Sequence, residues 1–196
     1  MPFFTMENNA YLESVRKQFL YYKMLGEKAI DQLEPEQLFV SVNEDTNSIA
    51  IIVKHLAGNM LSRWTDFLTT DGEKEWRNRD GEFEGTITSK EEMMALWNKG
   101  WDCFFNAINP LTDEQLGTIV YIRNEGHTIM EAINRQLAHY PYHIGQIVFY
   151  AKLLKKSPWT SLSIPRNASN SYNADKFSKE KSIKNFTDDE LNKLKS

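Results

Sequence analysis

Two histidines in the second half of the chain have the spacing of a helical metal site. His139 and His143 are four residues apart, so on an α-helix they lie one turn apart on the same face. Two neutral imidazoles placed in this way can share one metal ion, as helical His-x-x-x-His zinc sites do. The alternative is an ordinary surface or hydrogen-bonded pair. The spacing indicates a metal site but does not define a reaction.

A third histidine extends this hypothesis. His55 lies beside Ile52 and Leu56 in an earlier amphipathic segment, and a polar ring that borders a core needs a partner. If the two helical faces meet, three imidazoles converge on one point. Three histidines with a position left for water or substrate form the catalytic type of zinc site, whereas structural zinc sites are usually closed by four protein ligands.

Four amphipathic segments must position these histidines. In each of them, apolar residues recur every three or four positions, which is the period of a helix with one buried face. The segments are residues 7–33, 48–69, 89–109 and 128–156. Ser89 and Thr128 each stand three positions before a glutamate, a pattern typical of a capping box at a helix start. The sequence therefore predicts an all-α four-helix bundle.

The connections between these helices differ in character. Residues 71–85 show neither period and contain three glycines, which predicts a long loop between the second and third helices. Loops of this length are usually functional or disordered, and the aromatic residues Trp76 and Phe83 argue against disorder. Residues 118–127 are rich in β-branched residues and predict a small hairpin or an extended connection.

The C-terminal part of the chain is set apart by its composition. Apolar density falls after Ser157, and residues 166–186 are rich in Ser, Asn, Asp and Lys. We therefore assign residues 1–165 to the bundle and residues 166–196 to a polar tail. Thr187 is placed to cap one last short helix in that tail.

Composition restricts the partners and the compartment. The net charge is −4 with both signs interspersed, so the basic stripe of a nucleic-acid-binding protein is missing. The longest purely apolar stretch, residues 49–53, is far too short to cross a bilayer, and the N-terminus lacks the pattern of a secretory signal. The single cysteine, Cys103, excludes an intrachain disulfide and fits a reducing compartment. We expect a cytoplasmic protein that binds neither nucleic acid nor membranes.

The three histidines and the residues around them form a more specific pattern than the pair alone. His55 in the second helix is followed by His139, His143 and Gln146 in the fourth. This pattern resembles the DinB-like superfamily of metal-binding four-helix bundles, over roughly residues 7–156. It is similar to a bacterial subgroup of unknown function whose pattern includes the segments 76–83, 140–146 and 162–166. In that subgroup a glycine usually follows the last segment, where this chain has Asn167.

The resemblance implies a function. It implies a divalent metal, zinc or nickel, held by the three histidines, and a long loop that crosses the bundle. Characterised relatives catalyse transfer or isomerisation reactions that use low-molecular-weight thiols such as bacillithiol and mycothiol. In these reactions the metal activates the thiol. We therefore expect a thiol-dependent S-transferase, or a related hydrolase, that acts on a small molecule. The alternative is a non-catalytic metal-binding bundle with a structural or stress-related role. The resemblance and the high aromatic content also indicate a homodimer.

Four polar residues are candidates to support the metal or to bind the substrate. Asn59 lies one turn from His55 and is placed to orient a ligand or a bound water, with a helix-packing hydrogen bond as the alternative. Gln146 is placed to support a ligand, or else to satisfy a backbone group. Arg77 and Arg79 in the long loop are suited to receive a carboxylate-bearing thiol, unless aspartates of the loop pair with them.

Overall fold

The computed structural model describes residues 10–155 and 158–195, and these residues are predominantly helical. Their six α-helices are α1 Ala10–Ile30, α2 Ile49–Trp64, α3 Lys90–Ile108, α4 Ile129–Lys155, α5 Ser169–Phe177 and α6 Thr187–Lys195. An antiparallel pair of strands, β1 Ile119–Ile122 and β2 Glu125–Thr128, lies between α3 and α4. Short 3₁₀ turns occur at Pro35–Phe39, Asp80–Phe83 and Asp113–Gln115. The all-α class expected from the periodicity is confirmed.

Two helix starts follow the capping patterns in the sequence. At α4, the Glu131 N–H donates to Thr128 Oγ1 at 3.1 Å and the Thr128 N–H donates to Glu131 Oε2 at 2.9 Å, a complete capping box. At α3, the Glu92 N–H donates to Ser89 Oγ at 3.1 Å, but the Glu92 carboxylate accepts from Thr88 rather than from Ser89. These bonds satisfy N–H groups that a helix leaves unpaired at its N-terminus, and they define where the histidine-bearing helix α4 begins.

The four long helices pack around an aromatic core. α1 lies against α4, α2 lies against α3, and α2 also contacts α4. The largest buried rings contact one another edge to face, and they are Phe19, Trp97, Trp101, Phe104 and Tyr140. Gly26 allows α1 to approach the Trp97 ring of α3 closely, since a Cβ atom at position 26 would lie 2.8 Å from that ring.

A short chain of hydrogen bonds connects the two helices that carry the histidines. The indole N–H of Trp64 in α2 donates to the Tyr140 hydroxyl of α4 at 3.0 Å, and that hydroxyl donates to Asn59 Oδ1 at 3.2 Å. All three side chains are buried. Hydrogen bonds between buried partners favour one relative position of two elements, because any other position leaves a polar group unpaired. Tyr140 therefore helps to set the register of α4 against α2.

The long loop between α2 and α3 is held against α2 by a lysine. Lys54 Nζ donates to the backbone oxygen of Gly81, to that of Glu84 at 3.1 Å and to Thr86 Oγ1 at 2.7 Å. These acceptors lie on both sides of residue 82. The predicted loop is present and is ordered by these contacts, which brings its 3₁₀ turn over α2.

The predicted hairpin is confirmed, and it supports the start of the long loop. Its turn residues, Arg123 and Asn124, have φ angles of 57° and 62°, the left-handed region that a two-residue type I′ turn requires. Both backbone N–H groups donate to the Asp71 carboxylate at 2.8 Å, and the Gly72 N–H donates to Tyr121 O at 2.8 Å. The hairpin and the loop are thus connected to each other.

The C-terminal residues contain two short helices. The short helix predicted at Thr187 is present as α6, but the Thr187 hydroxyl donates to Asn185 Oδ1 at 2.7 Å. α6 buries Leu191 and Leu194 against α1. α5 was not predicted. Asn167 has a φ of 68°, in the left-handed region where glycine is favoured and asparagine is well tolerated, so it can replace the usual glycine. The boundary between a bundle of residues 1–165 and a tail of residues 166–196 stays a prediction.

Parts of two predicted helices lie outside the described residues, namely residues 7–9 of the first helix and residue 156 of the fourth. In the part of the chain that the structure describes, no helix combines the length and the apolar character needed to cross a membrane.

Candidate metal centre

The three predicted histidines converge between α2 and α4. The Nε2 atoms of His55 and His139 are 3.4 Å apart, and those of His139 and His143 are 3.1 Å apart. One nitrogen from each ring lies within 4.8 Å of the other two. Imidazole ligands at about 2.0–2.1 Å from a tetrahedral ion are separated by roughly 3.3 Å. The spacing of the three rings is therefore compatible with a single metal ion.

Each ring presents its other nitrogen, Nδ1, to an oxygen atom. The partners are Glu82 Oε2 for His55 at 2.9 Å, Gln146 Oε1 for His143 at 2.8 Å and Gln136 Oε1 for His139 at 3.3 Å. A carboxylate or an amide oxygen can only accept a hydrogen bond, so each Nδ1 must carry the proton and donate it. This selects the same tautomer in all three imidazoles.

The selected tautomer determines what the cluster can bind. A neutral imidazole that is protonated at Nδ1 has an unprotonated Nε2. Three lone pairs therefore face one another without a proton between them, which is unfavourable unless a cation accepts all three. Among the described residues, no Cys, Asp or Glu joins the group. Three neutral nitrogens with no fourth protein ligand are the donor set of an open zinc-type site.

Burial keeps the two rings of α4, His139 and His143, in the neutral form that binds metals. Burial, and then repulsion by charge on His143 and His55, lowers the pKa of His139 from 6.5 to about 3. Burial also lowers the pKa of His143, although its hydrogen bond with Gln146 acts in the opposite direction. Near neutral pH, protons therefore compete little for the lone pairs of His139 and His143.

Glu82 is one of two residues beside the histidines that sequence analysis missed. It lies in the 3₁₀ turn of the long loop, and its buried carboxylate accepts from His55 and from Arg77 Nε at 2.7 Å. Burial, the largest influence, raises the pKa of Glu82, but the hydrogen bonds from His55 and Arg77 lower it overall. Gly58 of α2 makes room for this carboxylate, since a Cβ atom there would collide with Glu82 Oε1. The sequence signal that could have indicated Glu82 was an acidic residue close to two arginines in the segment 76–83.

Two glutamines support the histidines of α4. Gln146, a predicted supporting residue, accepts from His143, and Gln136, which was not predicted, accepts from His139. Each glutamine is three positions from its histidine, a spacing that places two side chains on one helical face. The same spacing in the sequence was the signal for Gln136. Asn59 lines the space beside the cluster, but its Oδ1 accepts a hydrogen bond from the Tyr140 hydroxyl. This is the helix-packing hydrogen bond that was the alternative to orienting a ligand or a bound water.

The two loop arginines have different environments. Arg77 has a buried side chain and donates two hydrogen bonds to Glu82, at 2.7 and 3.0 Å, with Glu73 3.6 Å away. Arg77 therefore pairs with acidic residues of the loop, as the alternative hypothesis predicts, but these residues are glutamates and not aspartates. The Arg79 guanidinium lies 5.6 Å above the centroid of the Phe83 ring.

A cavity of about 350 Å³ opens beside the three imidazoles. This is within the range of roughly 300–1,000 Å³ that small-molecule sites occupy. The Phe83 ring forms part of its wall and stacks on the His55 ring, with centroids 5.0 Å apart. Five arginines also line it, and they are Arg63, Arg77, Arg79, Arg123 and Arg135.

The fold and the cluster together define a predominantly helical protein with a candidate three-histidine metal site. A family model described as "Protein of unknown function (DUF1572)" matches residues 6–168, which is most of the 196-residue chain. The chain therefore belongs to this family. No curated protein and no solved structure matches it.

The hydrogen bond between Glu82 and His55 generates a first prediction. Replacing Glu82 by Gln should weaken the binding of Zn²⁺, used as a probe ion, by about 10–100-fold, because partners behind a ligand raise its basicity and orient it. The amide oxygen can still accept from His55, but the negative charge is lost. Competition with a chelating dye at neutral pH measures the dissociation constant.

Glu84→Gln is the matched control, since Glu84 is exposed and only two positions further along the same loop. Its dissociation constant for Zn²⁺ should stay within about twofold of the wild-type value. Equal dissociation constants for the two variants would contradict a supporting role for Glu82.

The metal-free protein should lose stability as the pH falls from about 7 to about 5. The pKa values of His139 and His143 in the folded protein lie below the ordinary value of 6.5. Below that pH the unfolded chain therefore binds more protons than the folded chain, so the free energy of unfolding decreases as the pH falls. Urea denaturation of chelator-treated protein at a series of pH values measures this change.

A double variant, His139→Gln with His143→Gln, is the control for this titration. Its free energy of unfolding should vary less over the same range, because glutamine does not titrate. Carboxylates contribute mainly below about pH 5, since their unfolded pKa values are near 4. A wild-type stability that rises on acidification would show that these rings are not held neutral.

Proposed function

We propose that the protein is a metal-dependent enzyme in which His55, His139 and His143 hold one divalent ion, zinc or nickel. The observation that carries this proposal is the convergence of three imidazole Nε2 atoms beside a cavity. Three protein ligands leave coordination positions for water or substrate, whereas a structural site is usually closed by a fourth. The open arrangement favours catalysis over the alternative of a purely structural metal site.

We propose further that α1 to α4 form a DinB-like four-helix bundle. The packing of α1 on α4, of α2 on α3 and of α2 on α4 supports this assignment. The position of the site supports it as well, because bundle sites are built from side chains on facing helices. His55 projects from α2, while His139 and His143 project from α4.

The reaction that we propose is the transfer of a low-molecular-weight thiol, of the bacillithiol type, to an electrophilic small molecule. In this transfer a sulfur–carbon bond forms, the bond from that carbon to its leaving group breaks, and the thiol proton goes to water. A divalent ion supplies Lewis acidity, which lowers the pKa of a thiol that it binds. A cavity of about 350 Å³ offers room for both reactants to meet.

The residues of the chain prepare the site for this chemistry. Glu82, Gln136 and Gln146 accept from the Nδ1 atoms, so they keep every Nε2 lone pair directed at one point. Phe83 covers one face of His55 and limits the access of water to it. The site is therefore preorganised by the protein and does not depend on a ligand to assemble it.

Metal content tests the ligand assignment. His55→Ala, His139→Ala and His143→Ala should each retain less than about one-tenth of the wild-type zinc or nickel, because two imidazoles bind a divalent ion much more weakly than three. Elemental analysis of the purified variants measures this, and circular dichroism checks that they remain helical. His127→Ala is the matched control, since His127 lies in β2 and outside the cluster. Full metal content in both His55→Ala and His143→Ala would contradict the assignment.

The reaction is tested separately on the metal-loaded wild-type protein. A panel of thiols with a generic aryl electrophile should yield thioether, detected by mass spectrometry, and His139→Ala should not. Stoichiometric metal without thioether would exclude S-transfer and leave the metal site intact. Ester or amide cleavage by the same preparation would instead support the related hydrolase.

We also propose that the protein is a cytoplasmic homodimer. The single cysteine supports a reducing compartment. An apolar stripe on the outer face of α4 supports the dimer, because Tyr142, Phe149 and Leu153 are 62%, 72% and 56% exposed. Their spacing of seven and four residues places them on one helical face, and Val42 lies beside Phe149 and Leu153. Apolar stripes of this kind mark interfaces between protein chains.

Sedimentation equilibrium tests this interface. The wild-type protein should be dimeric at about 100 µM, and Phe149→Glu with Leu153→Glu should be monomeric, because an interface cannot bury two unpaired charges. Phe177→Glu is the control, since Phe177 is exposed on α5 and does not belong to the stripe on α4. A wild-type protein that sediments only as a monomer would overturn the dimer.

A further inference from the structure

The charge of the cavity wall is unevenly compensated. Five arginines line it, and the carboxylates of Glu73 and Glu82 form ion pairs with three of them, Arg63, Arg77 and Arg123. Within residues 10–155 and 158–195, Arg79 and Arg135 form no ion pair with a carboxylate. The wall of the cavity therefore carries positive charge that the described residues leave uncompensated.

The two uncompensated arginines line the cavity from different elements, Arg79 from the long loop and Arg135 from α4. Arg135 precedes His139 by one helical turn in α4, so the two side chains share a face and start about 5–6 Å apart. The Arg79 guanidinium lies 5.6 Å from the centroid of the Phe83 ring, and the same ring stacks on His55 with centroids 5.0 Å apart. Both arginines therefore line the same cavity as the three histidines.

We propose that Arg79 and Arg135 bind an anionic group, a carboxylate or a phosphate, of the small molecule whose reacting atom lies at the three histidines. This inference rests on the proposed function, because it assumes that the reacting atom is held there. A guanidinium presents a rigid fork of N–H donors that matches both oxyanions. In a cleft with low-dielectric walls, uncompensated positive charge also raises the local concentration of anions.

The remaining arginines have other partners and shape the site. Arg63 and Arg77 have buried side chains that donate to glutamates, and Arg63 also donates to the backbone oxygen of Gly72. Arg123 is more exposed and shares Glu73 with them. Recognition of an anion therefore falls to Arg79 and Arg135, and not to Arg77, whose charge Glu82 and Glu73 already neutralise.

Thiol binding to the Co²⁺-loaded full-length protein tests this assignment. A sulfur-to-cobalt charge-transfer band reports the binding of any thiol, so the dissociation constants of mercaptosuccinate and of 2-mercaptoethanol can be compared. The wild-type protein should bind the dianionic thiol at least about tenfold more tightly. In Arg79→Gln with Arg135→Gln, this preference should fall to about twofold or less, while the affinity for 2-mercaptoethanol and the cobalt content stay unchanged.

Arg166→Gln is the matched control, because Arg166 is exposed and does not line the cavity. It should keep the full preference for mercaptosuccinate. Equal binding of the two thiols by the wild-type protein, or an undiminished preference in the double variant, would overturn the anion site and leave the metal site standing.

A second measurement keeps the inference testable if the protein binds no cobalt, an outcome that would overturn the proposed function. Succinate and inorganic phosphate should each raise the melting temperature of the metal-free wild-type protein, and the double variant should lose this shift. Comparison of the two anions shows whether the site prefers a carboxylate or a phosphate. If neither anion stabilises the wild-type protein, the anion site is wrong.

Discussion

Three Nδ1–H groups and their oxygen acceptors are the interactions on which the rest of this site depends. Each bond fixes a tautomer, and the three tautomers together direct three Nε2 lone pairs at one point. Burying polar nitrogens that face one another without a shared proton costs several kcal/mol if nothing binds them. The protein therefore holds an arrangement that is unfavourable alone and favourable with a cation, which is the condition for a preorganised binding site.

The fold maintains this arrangement through contacts outside the cluster. Tyr140 joins α2 to α4 by hydrogen bonds to both Trp64 and Asn59, so the histidines of the two helices keep their relative positions. Lys54 holds the long loop on α2 by three acceptors, which places Glu82 behind His55. Without these contacts, the loss of conformational entropy on ordering a loop of this length would oppose its docking.

Periodicity and spacing predicted the parts of the site that lie on helices. His139 and His143 share a face because of their four-residue spacing, and His55 borders the core of another helix, so both helical faces could be assigned from the sequence. The four long helices and the hairpin follow from such local rules, whereas the convergence of His55 with the histidines of α4 also required the two helices to meet. Gln136 obeys the same three-residue rule as Gln146 and was available to the same reasoning.

The parts that sequence reasoning could not predict depend on how the long loop docks. Whether Glu82 contacts His55, and whether Arg77 pairs with an acid, is decided by contacts between residues far apart in the chain. Periodicity carries no information on such contacts. It does not predict the burial of α6 on α1 either. Gly58 illustrates the point, because its role is to leave space for a carboxylate 24 positions later, which is visible only when the loop is in place.

The docked loop also separates two roles among chemically identical side chains. The charge of Arg77 is neutralised by Glu82, the same carboxylate that orients His55. Arg77 therefore stabilises the structure of the site, and a substitution there would also disturb the hydrogen-bond partner of His55. Arg79, two positions later, has no carboxylate partner in the described part of the chain, and its charge remains available to a ligand. Two arginines of one loop, two positions apart, therefore have different roles: Arg77 stabilises the wall of the cavity, and Arg79 is available to a ligand in the cavity. Pairing, and not residue type, decides which arginine shapes the site and which one faces what binds there.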